Sequence, residues 1–179
     1  MARKSPIRRT VTRLERTAYH EAGHAVAAWH FELPIGTATI RPNKEKDTRG
    51  EVVVGNQLNG WQPGDGPRRQ LLEERMVVDY AGYATEHVLD GGIGDYEVYG
   101  NDAVNPRSMM RIYNLHPPGC QSEFDEATIA PYEKRLRRRA FKLMKEFFPN
   151  VEKVKELLLA RRTVNHAEIH AVLGDSDRS

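Results

Sequence analysis

The sequence predicts an α+β fold that is mainly α-helical, with one small β-hairpin. Three observations carry this. Apolar Ala18, Ala22, Ala25, Val26 and Trp29 recur at helical spacing. Residues 37–41 and 51–54 are β-rich and are joined by a polar connection containing Asn43, Asp47 and Gly50, the pattern of a hairpin. The last third of the chain reads as successive helices, interrupted at Pro149-Asn150.

The elements follow in chain order. Residues 1–16 are charge-rich and predict a basic, mostly flexible arm, and a first helix is expected over 17–31, ended by Pro34 and Gly36. After the hairpin, the glycines and prolines of 56–67 predict an irregular loop before a long helix over 68–89, stopped by Asp90-Gly91-Gly92. Residues 101–115 read as partly helical, with Pro106 tolerated near a first turn, and His116-Pro117-Pro118-Gly119 breaks the chain again. Helices are then expected over 127–148 and 151–162, with Asn150 as an N-cap. A short last helix begins at Asn165, whose pairing with Glu168 resembles a capping box, and ends at Gly174. One domain over 17–174 with a short flexible tail at 175–179 is the organisation this implies.

Composition narrows the function classes. The 179 residues are 39% hydrophobic and 29% charged, with a mean hydropathy of −0.65, which suits a globular chain in water. A formal net charge of +2 is too small for a dedicated nucleic-acid binder. The basic cluster Lys134, Arg135, Arg137, Arg138 and Arg139 reads first as a solvated face, and neither nucleic acid nor membrane is an expected partner. Cys120 is the sole cysteine, so no internal disulfide forms and a reducing compartment, the cytoplasm, is expected. No apolar run reaches membrane-spanning length and none follows the basic start as a secretory signal would need, so neither anchoring nor export is expected from these residues.

The chemistry concentrates in His20-Glu21-Ala22-Gly23-His24. On a helix, positions i and i+4 share a face, so both imidazoles reach one ion, and Glu21 falls beside it as a general base for an attacking water. Chance placement of this chain's histidines and glutamates would give about 0.02 such patterns. Gly23 in a helix interior costs about 0.8–1 kcal/mol against alanine and asks for a reason, such as close approach of another element. An amphipathic face that merely happens to carry two histidines is the alternative reading of the same residues.

The stretch from Thr17 to Val26, with the motif at its centre, closely resembles the active-site helix of the FtsH-type ATP-dependent zinc metalloproteases. The likeness continues through Thr37 to Pro42 and Gly50 to Val53, through Asp79-Tyr80-Ala81-Gly82-Tyr83-Ala84-Thr85-Glu86, and through Gly100-Asn101-Asp102. It closes with 157–163 and 165–173. The resemblance implies a helical zinc-metallopeptidase domain that hydrolyses peptide bonds; without a phosphate loop of its own, unfolded or short polypeptides are the expected substrates. Zn2+ would be held by His20, His24 and Asp102, and Glu21 would be the catalytic base. Around the third ligand the chain departs from the family: Val98-Tyr99-Gly100 stands where Thr-Gly-Ala is usual, and Ala103 where leucine is.

From the residues alone, a helix-start carboxylate is the alternative role for Asp102, and Glu86 and Asp95 are the other carboxylates for the third position. Glu86 is also suited to orienting a ligand histidine. Tyr96, Tyr99 and His87 are polar groups with no assigned role. The sequence contains no G-x-x-x-x-G-K-[ST] phosphate loop, so the expected hydrolysis is ATP-independent in itself, with a separate ATPase partner and a homo-oligomer left open. A catalytically inactive metallopeptidase-like binding or regulatory module is the alternative from a different class.

Overall fold

A computed structural model describes residues 10–43, 45, 48–55, 66–93, 95–113 and 126–174. Its first helix, α1 (Arg13–His30), starts four residues before the expected boundary because Thr12 caps it. The Thr12 hydroxyl accepts from the Glu15 N–H at 3.2 Å, and the Glu15 carboxylate accepts from the Thr12 N–H at 2.9 Å. Residues 13–16, read as part of the arm, are therefore helical. The rest of that arm over 1–9 lies outside the described residues, as do the tail over 175–179, the loop over 56–65, the break at 116–119 and Cys120.

The strands β1 (Ile35–Thr39) and β2 (Glu51–Val54) pair antiparallel as the hairpin pattern predicts, with an irregularity in register between Ile35 and Ala38. A third strand, β3 (Thr163–Asn165), pairs antiparallel with the other side of β1, giving the order β2-β1-β3. The sheet is thus larger than the single hairpin expected. Three residues that end on a helix cap carry too weak a pattern to be read as a strand; the main chain of β1 makes them one.

The long helix α2 (Gly66–Leu89) ends where Asp90-Gly91-Gly92 predicts, Gly91 taking φ 75° and Gly92 donating its N–H back to the His87 carbonyl at 2.9 Å. Helix α3 (Asn101–Ile112) follows Gly100, whose φ of 62° is a conformation that glycine adopts at little cost. Pro106 stands in the second turn of α3 rather than the first, where its missing N–H removes a helical bond to the Asp102 carbonyl.

Helix α4 (Glu126–Glu146) and helix α5 (Phe148–Arg161) are divided at Phe147, earlier than expected. Pro149 lies in the first turn of α5, where the missing N–H costs no bond. Asn150 is consequently not the N-cap but a buried residue inside the helix, its Nδ2 without a hydrogen-bond partner among the described residues. The last helix, α6 (His166–Leu173), has the expected start and stop. Asn165 and Glu168 form the reciprocal capping box at 3.1 and 2.8 Å, and Gly174 takes φ 68° past the end.

Packing is organised around α1, which is buried along most of its length between α2 on one side and α5 on the other, with β1 across its end. Trp29 packs edge-on to Phe147 at 6.2 Å, and Tyr19 stacks on Phe148 at 5.9 Å. Small side chains let α1 and α2 approach closely. A Cβ at Gly23 would lie 2.2 Å from Thr85 Oγ1 and 2.8 Å from the Ala81 carbonyl oxygen, so the costly glycine is explained by the crossing of these two helices.

Candidate metal centre

The α1–α2 crossing faces two stripes of polar residues toward each other. On α1 these are Arg16, His20 and His24, each one turn from the next; on α2 they are Asp79, Tyr83, Glu86 and Asp90. His20 donates from Nδ1 to Glu86 Oε1 at 2.8 Å, and His24 donates from Nδ1 to the Val78 carbonyl at 2.7 Å. Because both acceptors take only a proton, each ring keeps its Nε2 for something else. Glu86 is itself held by Arg16 at 3.1 Å, and the same guanidinium forks onto Asp90 at 2.8 and 3.0 Å.

The two Nε2 atoms stand 3.1 Å apart, and Asp102 Oδ2, from the first turn of α3, lies 3.0 Å from His20 Nε2 and 3.6 Å from His24 Nε2. Ligand atoms at 2.0–2.1 Å around a tetrahedral zinc are about 3.3 Å from one another. The three observed separations bracket that value. The donor set of two imidazoles and one carboxylate is that of an open, three-ligand site. Gly82 makes room for it: a Cβ there would lie 2.5 Å from His24 Nε2 and 2.6 Å from His20 Nε2. These three residues are the metal-competent group found among the described residues.

Two carboxylates bear on the two imidazoles at this point. Burial alone would disfavour protonated His20, yet the Asp102 and Glu86 carboxylates overcome it and push its pKa up to about 10. His24 is raised as well, burial being outweighed by Asp102, and Asp102 is held well below the usual carboxylate range despite its own burial because both imidazoles face it.

Glu21, 5% exposed, sits at the same place with Gly50 against it, a Cβ at Gly50 falling 2.5 Å from Glu21 Oε1. Burial raises its pKa, and the neighbouring His24 and His20 oppose that rise. A raised pKa makes its carboxylate a better proton acceptor near neutrality. His20, Glu21, His24 and Asp102 all line a cleft of about 1040 Å³ that runs along Val52, Val53 and Val54 of β2.

Other residues singled out in the sequence lie elsewhere or do other work. Asp95 is exposed and paired with Lys134 at 2.7 Å and Arg138 at 3.2 Å, and it is not among the three converging residues. Tyr96 is buried and donates to the Arg137 carbonyl at 3.0 Å, with His87 stacked on it at 5.6 Å. The basic cluster of α4 is a mostly exposed face, as expected, whose side chains also meet neighbouring groups: besides the two contacts to Asp95, Arg135 meets Glu73 at 3.2 Å, Arg137 donates to the Tyr96 carbonyl, and Arg139 lies over the Phe31 ring. Residues overlooked in the sequence are Arg16, Tyr83, whose ring packs edge-on to His20 at 4.9 Å, and Asp79. The i, i+4 stripes on α1 and α2 were the signal that could have found them.

No known protein-family model matches the chain. It is similar to the ATP-dependent zinc metalloprotease YME1L1 of Mus musculus, with 26% identity over 178 residues, covering 88% of this chain and 24% of that protein. It is likewise similar to the mitochondrial ATP-dependent zinc metalloprotease FTSH 10 of Arabidopsis thaliana, with 29% identity over 93% of this chain and 23% of that protein. The ATP-dependent zinc metalloprotease FtsH 1 of Rhodopirellula baltica is 25% identical over 90% of this chain and 28% of its own length. The chain therefore spans about a quarter of the length of the curated relatives it matches. These similarities support a relationship to the FtsH family. Among the described residues, no helix is long and apolar enough to cross a membrane.

Proposed function

We propose that this chain is a zinc-dependent peptidase that hydrolyses peptide bonds of unfolded or short polypeptides. The observation that carries the reading is the convergence of His20 Nε2, His24 Nε2 and Asp102 Oδ2 to within 3.0–3.6 Å of one another beside Glu21, in one cleft. Similarity to proteins named as zinc metalloproteases supports the identity of the ion.

His20, His24 and Asp102 would hold the zinc. When bound, it supplies Lewis acidity toward a peptide carbonyl and lowers the pKa of water to about 7. Glu21 takes the proton from the attacking water and returns it to the leaving amine. Glu86 and the Val78 carbonyl keep the two imidazoles in the tautomer that leaves Nε2 unprotonated, and Arg16 holds Glu86 in place. Val52–Val54 of β2 border the cleft, and the far side of β2 has no strand partner among the described residues, so an extended substrate backbone can lie along it.

In this reading the hydrolytic step itself consumes no ATP, and a separate ATPase would serve only to deliver folded substrates. A homo-oligomer and a reducing, cytoplasmic setting belong to the same proposal. The test is cleavage of casein by the zinc-loaded protein with and without ATP, followed by chelation and zinc add-back. Cleavage that needs zinc but not ATP, and that Glu21→Gln abolishes, supports the reading. A zinc-loaded protein that binds polypeptide without cutting it supports the non-catalytic binding module instead.

A further inference from the structure

A second hollow, of about 320 Å³, adjoins the metal cleft and shares Val54, Arg75, Asp79 and Asn105 with it. Its walls are largely apolar, with Leu33, Leu71, Met109 and Ile112 among them. This volume suits one large side chain entering from a backbone that lies along β2.

Asp79 is the anomaly. It is 7% exposed, and its Oδ2 accepts no hydrogen bond among the described residues. Its other oxygen faces Arg75 at 3.7 Å, while Arg75 also donates to the Val54 carbonyl at 3.1 Å. A buried carboxylate oxygen without a donor is costly, and it is retained where something else comes to satisfy it.

Resting on the peptidase reading, we propose that this hollow selects the substrate residue next to the cut bond, and that it takes tyrosine. The ring would lie against the apolar walls, and the Asp79 carboxylate, whose Oδ2 is sealed from solvent, would turn toward the hollow to accept the phenol O–H. Phenylalanine fills the walls but leaves Oδ2 unsatisfied. Lysine brings a second cation beside Arg75, whose charge already balances Asp79. A neutral side chain with an apolar body and a donor at its tip meets every feature of the hollow, and tyrosine stays neutral up to a pKa near 10.

Two measurements test this. The first does not depend on turnover: binding of p-cresol and of toluene to the zinc-loaded protein, followed by ligand-observed NMR. p-Cresol is expected to bind about tenfold or more tightly than toluene, the range of a hydrogen bond to a charged acceptor. The preference should disappear in Asp79→Leu and shrink in the isosteric Asp79→Asn, each variant first checked by circular dichroism. Equal binding of p-cresol and toluene by the wild type overturns the proposal, as does an undiminished preference in a folded variant. The second is the pattern of casein cut sites read by mass spectrometry. Tyrosine should be enriched over phenylalanine and lysine at one fixed position beside the cut. Cleavage without that enrichment overturns the proposal and leaves the peptidase reading standing. No cleavage at all removes the peptidase reading, while the p-cresol measurement still decides whether Asp79 reads a phenol.

Discussion

Glu86 Oε1 accepts a hydrogen bond from His20 Nδ1 at 2.8 Å, across 66 positions of sequence. The contact fixes the ring so that Nε2 points at His24 and Asp102, and it places a negative charge behind the imidazole. Arg16 completes the line by holding the other Glu86 oxygen at 3.1 Å. The three residues form a support running from α1 to α2 and back to α1.

Arg16→Ala should therefore loosen the metal rather than the fold. The guanidinium is partly exposed, so its ion pairs stabilise the fold only modestly. Loss of the group behind the ligand should weaken zinc binding about 10- to 100-fold. Competition with a chromogenic chelator measures it, and unchanged affinity would show that Glu86 needs no help from Arg16.

Glu21→Gln should keep about one zinc per chain, since Glu21 is not among the three converging ligands. Peptide hydrolysis should fall by about 10²- to 10⁴-fold, the usual contribution of a positioned general base. Elemental analysis beside a casein assay reads both effects from the same preparation.

Asp102→Ala and His24→Ala should each lose zinc on dialysis against trace metal. The departure of the sequence around Asp102 from the family pattern makes this the decisive variant. Zinc retained by Asp102→Ala would mean that another group completes the site.

Burial pushes the Asp79 carboxyl up to about 6, with Arg75 and His24 opposing. The folded protein therefore holds this proton more tightly than the unfolded chain, whose value is near 3.8. Above pH 6 the folded state must carry the buried charge at a cost; as pH falls through 6 it takes up the proton and regains stability, until both states are protonated below about 4. In the metal-free protein, Asp79→Asn should accordingly be more stable than wild type at pH 7.5 by on the order of 2–3 kcal/mol. That advantage should be largely lost by pH 4.5. Urea midpoints of both proteins at the two pH values check the sign.

Gly23→Ala should be destabilising by about 1–3 kcal/mol, although alanine is the better helix former. The added methyl meets Thr85 Oγ1 at 2.2 Å and the Ala81 main-chain oxygen at 2.8 Å. The threonine can rotate but the carbonyl belongs to α2 and cannot. A denaturant midpoint equal to wild type would show that the two helices move apart freely.

Much of the fold was legible because its signals are local. The end of α2 at Asp90-Gly91-Gly92 and the box of Asn165 with Glu168 depend on residues within one turn of each other. The same kind of signal at Thr12 and Glu15 went unread because a charge-rich stretch surrounds it. Pro149 reads in the sequence as a gap between helices, whereas its ring geometry suits the first turn of α5. β3 could not be read at all, since three residues acquire strand character only by pairing with β1.

By itself the sequence determined the helix that presents His20, Glu21 and His24, because a four-residue spacing on a helix fixes which side chains share a face. It left Asp102, Glu86 and Asp95 as rival carboxylates and gave no sign of a hollow above Asp79. Which carboxylate stands beside the two histidines was decided by the tertiary structure. The close crossing of α1 and α2 at Gly23 brings Glu86 behind His20, the turn at Gly100 starts α3 with Asp102 at the two Nε2 atoms, and Asp95 is drawn away to Lys134 and Arg138. Contacts between residues some 65–80 positions apart depend on where whole helices pack, and no local spacing rule encodes that.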